Sequence, residues 1–133
     1  NSITFDYLVK NKLNGIDLTQ AVINQIPVPS LGQAKEMRFS DKEENSSILD
    51  NILEIVYSFY EKDNSLSSIW ESLPIKKEGR GFESPRQLFM KLDVIIAKLY
   101  NLSIKEFEVI LSRFDSFYNS EERIRLIAMY QNL

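Results

Sequence analysis

The 133-residue chain contains no cysteine and no histidine. Without cysteine there is no disulfide framework, no thiolate nucleophile and no sulfur-ligated zinc. Without histidine there is no imidazole in a catalytic triad and no imidazole-built metal site. No uninterrupted apolar run nears the ~18 residues that suggest a membrane-spanning helix, and no secretory leader pattern opens the chain, so no membrane partner is expected. The cysteine-free composition is compatible with a cytoplasmic protein. Glycine and proline are scarce, four of each, so backbone punctuation falls at few places. The informative ones are Gly15, Gly79 and Gly81, with Pro27, Pro29, Pro74 and Pro85.

What is present reads as one globular domain or a compact piece of one: 44% of residues are hydrophobic and 26% charged. A chain of this size buries roughly two-thirds of its unfolded surface, enough for a core. It opens on Asn1 inside a helical pattern and is expected to be a portion of a longer protein. The net charge of −3 argues weakly against nucleic acid, but the charge is uneven. Residues 41–72 are strongly acidic. Residues 73–91 carry Lys76, Lys77, Arg80, Arg86 and Lys91 against only Glu78 and Glu83.

The clearest periodic signal lies at Leu88, Leu92, Ile95, Ile96 and Leu99, one face of a 3.6-residue helix. Ser84 supplies the N-cap hydroxyl and Pro85 the N1 residue whose missing N–H costs nothing. Asn101 closes the helix in a left-handed conformation, with Leu102 as the apolar contact of a Schellman cap. Ser103 and Glu106 then form a capping box for a second helix whose inner face is Phe107, Ile110, Leu111 and Phe114. Two helices joined this tightly make a corner.

The remaining chain is also helical in pattern. Ser2 to Leu13 predicts a helix with Phe5, Leu8, Val9 and Leu13 inward, stopped at Asn14-Gly15. Ile16-Asp17-Leu18 can form a short strand, and Thr19 to Asn24 a helical turn. Pro27 and Pro29 force Gln25 to Pro29 into extended backbone, an edge strand or an exit segment. Ser30 to Phe39 reads as connective. A capping box at Ser40 to Glu43 opens a helix expected to reach about Lys62 and to lie centrally, with Ile48, Ile52, Ile55, Val56 and Phe59 as a stripe that Leu49, Leu53 and Tyr60 widen. Glu43, Glu44, Asp50, Glu54 and Glu61 form its solvated face, with paired catalytic carboxylates as the sharper alternative. Leu66 to Leu73 is a short helix around Trp70, as core anchor or base-stacking platform. Ser120 caps a last helix reaching Gln131, with Ile124, Ile127 and Ala128 inward and Glu121, Glu122, Arg123 and Arg125 outward. The fold class expected is mainly α, a bundle of about five helices with a short extended exit segment near the start.

Lys76, Lys77 and Arg80, in a loop made permissive by Gly79 and Gly81, lead into Arg86 in the first turn of the helix that follows. These four cations are the candidate nucleic-acid contacts, suited to holding phosphate rather than reading bases; a solvated surface loop is the other reading. No catalytic constellation accompanies them. There is no Asn/Asp-Pro-Pro-Tyr/Phe, no Glu-x-Lys or Asp-x-Lys triplet, no Walker A and no Gly-x-Ser-x-Gly.

LDVIIAKLYNLSIKEFEVILSRF resembles the tail of fused type II restriction–modification enzymes. These are large adenine-N6 DNA methyltransferases, often with an endonuclease on the same chain. The matching positions are Leu92, Asp93, Ala97, Leu99, Tyr100 and Leu102; Asn101 stands where the family usually has Gly, and tolerates the same backbone conformation. FDYLVKNKLNGIDLTQAVINQIPVPS is similar to the end of the target-recognition domain in the same enzymes, and to the helix entry of type I specificity subunits. Here the matches are Phe5, Gly15, Ile26, Pro27 and Pro29. The likeness covers about half the chain, at its two ends. It implies that residues 1–30 close a recognition domain and residues 31–133 form a C-terminal helical domain. It implies a bacterial parent that methylates adenine with S-adenosylmethionine and uses Mg²⁺ where it cuts, catalytic residues upstream, and DNA and upstream domains as partners. No cofactor is expected within this portion. Gly15, Pro27, Pro29, Asp93, Tyr100 and Asn101 are its structural signature. Asp93, mid-helix among apolar residues, is expected to accept a backbone N–H of the exit segment. The reading of another class is a helical protein–protein interaction module with no DNA contact.

Overall fold

The computed structural model describes residues 2–13, 19–39, 46–74 and 83–133. Gly15, the short strand at 16–18, the capping box at 40–43, Glu44, and the loop with Lys76, Lys77, Gly79, Arg80 and Gly81 lie outside them. Among the described residues the protein is helical. Five longer helices are α1 (Ile3–Lys12), α4 (Ile48–Tyr60), α6 (Pro85–Leu99), α7 (Ile104–Ser112) and α8 (Ser120–Gln131). Three short ones are α2 (Gln20–Ile23), α3 (Leu31–Glu36) and α5 (Ser67–Ser72), the last preceded by a 3₁₀ turn at Asn64–Leu66. The only β pairing among the described residues is an isolated antiparallel bridge between Arg38 and Ser47. None of the described helices is long and apolar enough to cross a membrane.

Helix α6 is the hub, packing on α1, α4 and α8. Its two sides feed two clusters. Met90, Val94 and Ala97 meet Ile3, Phe107, Ile110, Leu111, Phe114, Tyr118, Leu126 and Tyr130 in the first. Leu88, Ile95 and Leu99 meet Ala34, Phe39, Ile48 and Ile55 in the second. Leu133 packs against both. Full burial of an aliphatic side chain contributes about 1.5–3 kcal/mol, so α6, with seven buried residues, is the element both clusters depend on. Helix α4, expected at the centre, lies on one flank against α3 and α6. Its wide stripe is only half covered: Ile48 and Ile55 are buried, Leu49, Ile52 and Phe59 are partly so, and Tyr60 is 51% exposed.

Local chemistry sets the helix ends. Ser84, Ser103 and Ser47 each accept from the third backbone N–H of the helix that follows, and Gln87, Glu106 and Asp50 reach back to the cap. The α4 cap is therefore Ser47, later than the position expected. Ser30 and Gln33 make the same box at the start of α3, a helix where connective chain was expected; the box outweighs the helix cost of Gly32. The cap of α8 is Asn119 rather than Ser120. Glu122, Leu126 and Tyr130 then fall at i, i+4 and i+8 on the inner face, while Ile124 is 68% exposed and Ala128 is exposed. Ile127 packs at the edge of the core, as expected. In α1 the buried residues are Ile3 and Thr4, with Tyr7 packed behind them. Phe5, Leu8, Val9 and Leu13 are only half-buried, because α1 docks chiefly by its first turn.

Candidate functional site

The densest polar arrangement in the interior joins the two ends of the chain. It is built on Asp93, in the middle of α6 and 5% exposed. Its Oδ1 accepts the backbone N–H of Ile3 at 3.0 Å, and its Oδ2 accepts the Tyr118 hydroxyl at 2.5 Å. The Ile3 N–H belongs to the first turn of α1, one of the donors no helix satisfies internally. Ser2 satisfies another by accepting from Phe5 at 3.2 Å. Asp93 thus acts as a second cap for α1, supplied from ninety residues away in sequence, and its charge faces the positive end of the α1 dipole. Asp93 is a structural tie, but its backbone partner is the start of α1 and not the exit segment. A helix N-terminus offers N–H groups converging on a carboxylate, whereas two of the exit-segment residues are prolines with none. Burial pushes the Asp93 carboxyl above its ordinary value, against the lowering effect of both hydrogen bonds. Burial and the neighbouring carboxylate push the Tyr118 hydroxyl up as well.

The exit segment is held by a different residue of the same signature. Tyr100 donates its hydroxyl to the Pro27 carbonyl at 3.0 Å. Tyr100 is the C-cap of α6, and Asn101 beside it has φ 55, the only non-glycine residue with positive φ among the described residues. The Leu102 N–H bonds the Ala97 carbonyl at 3.2 Å and the Asn101 N–H bonds that of Lys98 at 2.8 Å. This pair is the Schellman pattern expected from the sequence, with Leu102 packed at the edge of the core. Tyr130 donates to the Leu102 carbonyl and stacks on Phe107, fixing α8 to the same corner. Ile26 is buried at 5% exposure, whereas Pro27 is exposed and Pro29 half-buried. Gln25 and Ile26, expected to be extended, instead continue the turn that closes α2, their N–H groups bonding the Val22 and Ile23 carbonyls; of this stretch only residues 27–30 lie outside helix and turn, and they carry no strand pairing.

Arg86 lies at the other end of α6. Its guanidinium forms a bidentate pair with Glu122 at 2.8 and 2.9 Å, donates to the Phe117 carbonyl at 2.5 Å, and lies over the rings of Phe117 and Tyr118. The hydrogen bonds from Arg86, with that from the Asn119 N–H, hold the Glu122 carboxyl down at about 2. Arg86 therefore commits its Nε and Nη2 donors to Phe117 and Glu122, clamping the α7–α8 connection to α6. The partner cations Lys76, Lys77 and Arg80 lie outside the described residues, so no geometry links them to it.

Trp70 is buried, with its ring edge-on to Tyr57 at 5.5 Å, and its indole N–H has no hydrogen-bond partner. That placement is a packing anchor and leaves no exposed face for a base. Asp50 is occupied in the Ser47 cap, and its hydrogen bonds with Ser47 lower its carboxyl below the ordinary value. Among the described residues, no group of three acidic side chains converges as a metal site requires.

An apolar groove of 470 Å³ runs between α1 and α7, walled by Tyr7, Leu8, Pro27, Tyr100 and Val109, with Lys105 at its rim. It lies beside the joint, and Pro27 and Tyr100 belong to both. A second groove, of 530 Å³, opens beside α6 and is lined by Phe39, Ile95, Met129 and Leu133.

The chain matches no protein-family model, no curated protein and no solved structure.

Sequence reasoning missed Tyr118 and the Arg86–Glu122 pair. Both are contacts across 25 and 36 residues, beyond the reach of any helical spacing rule. The one local hint was Asp93, a carboxylate on an apolar helix face, which has to find partners if it is to be buried.

Proposed function

We propose that this chain is the non-catalytic C-terminal segment of a fused type II restriction–modification enzyme, a site-specific adenine-N6 DNA methyltransferase of the bacterial cytoplasm. In this reading residues 1–30 end the target-recognition domain and residues 31–133 form a helical domain that braces it. S-adenosylmethionine, the catalytic groups, and Mg²⁺ where the parent cleaves DNA belong to parts upstream. The observation that supports the reading is the joint itself. The resemblance rests on two stretches far apart in sequence. Tyr100 of the later stretch bonds Pro27 of the earlier one, and Asp93 of the later stretch bonds Ile3, two residues before the earlier one begins. A domain that braces the exit of a recognition domain needs such a tie.

Lys76, Lys77 and Arg80 are the phosphate contacts in this reading. Binding of the chain to duplex DNA, measured between about 50 and 200 mM salt, tests it. Affinity should fall steeply with salt, and changing all three residues to Ala should flatten the slope by about 3, about one released counterion per contact.

A second reading, a helical protein–protein interaction module with no DNA contact, is favoured by the net charge of −3 and by the apolar α1–α7 groove. No DNA binding even at the lowest salt would select it.

A further inference from the structure

We draw no further inference here: the strongest candidate, the apolar groove between α1 and α7 walled by Tyr7, Leu8, Pro27, Tyr100 and Val109, carries nothing because nothing in the structure shows what covers it, and the one unpartnered polar group at its floor, the Thr4 hydroxyl, is sealed beneath the surface.

Discussion

A single carboxylate, Asp93, makes the one long-range side-chain hydrogen bond to the start of the N-terminal helix found among the described residues. Replacing it with Ala leaves the Ile3 N–H and the Tyr118 hydroxyl buried without an acceptor. Each stranded group costs about 1–3 kcal/mol, so with both stranded Asp93→Ala should lower stability by about 2–6 kcal/mol in urea unfolding. Asp93→Asn keeps one acceptor oxygen and should cost less. The two variants also separate charge from hydrogen bonding. Because burial raises the folded carboxyl above its ordinary 3.8, the native state holds this proton more tightly than the unfolded chain. The contribution of Asp93 to stability is therefore greatest at acid pH. It declines as pH rises from about 3.8 to the raised folded value, and is level above that. Asp93→Asn should remove this component. Unfolding midpoints from pH 3.5 to 8 that track each other in wild type and Asn variant would show that the Asp93 carboxyl titrates alike in the folded and unfolded chain, with no upward shift. The residue-level features legible in the sequence were those with local causes. Asn101 was read as left-handed because a helix had to stop there, and φ 55 follows. The partners of Asp93 had no local signature, so its role as a tie was visible but not what it ties.

At the level of elements, helix ends decided more than helix faces. The boxes at Ser84 and Ser103 set α6 and α7 where the sequence placed them. The same signature at Ser30 and at Ser47 was overlooked, in favour of connective chain and an earlier start. On α8 the expected inner residue Ile127 does pack against the core, but Ile124 and Ala128 face out and Leu126 and Tyr130 take the buried positions, because the partners that choose the face lie far away in sequence. The α6–α7 corner makes a direct test. Asn101→Ala forces a Cβ-bearing residue with no compensating side-chain bond into positive φ, and should cost about 1 kcal/mol. Asn101→Gly should be neutral or stabilising by a few tenths. Equal thermal midpoints for the two variants would mean that the Schellman turn is not strained. At the opposite end of α6, the Arg86–Glu122 pair is partly solvent-screened, with the side chains 39% and 19% exposed. A double-mutant cycle with Arg86→Ala and Glu122→Gln should therefore give a coupling of only about 1 kcal/mol, reduced by salt. The Glu122 carboxyl is lowered from 4.5 to about 2, so this coupling is fully present above pH 4.5 and is lost as pH falls toward 2. The sign is opposite to that of Asp93.

At the scale of the molecule, the described residues pack into two clusters that share one helix. The sequence identified the α6 periodicity as the organising signal, but its spacing of apolar residues was read as a single face. Val94 and Ala97 on one side and Ile95 and Leu99 on the other send it into both clusters. Which helix pairs with which face is settled by contacts across the chain, and no periodicity encodes that; this is why α4 was placed centrally and lies on a flank. The shared helix has a measurable consequence. Leu126 is fully buried in the cluster of α1, α7 and α8, and Ile55 is fully buried in the cluster of α3 and α4. Leu126→Ala and Ile55→Ala should each cost about 2–5 kcal/mol through lost contacts and a residual cavity. Trp70 packs on Tyr57 of α4, the helix that gives Ile48 and Ile55 to the second cluster, so its fluorescence reports on that helix, whereas far-UV circular dichroism reports on all helices. If α6 couples the clusters, Leu126→Ala shifts the fluorescence and dichroism transitions together, although the substitution lies outside the cluster to which that helix contributes. Transitions that separate in Leu126→Ala, with the fluorescence midpoint left at the wild-type value, would mean that α6 divides the protein into two independently folding halves.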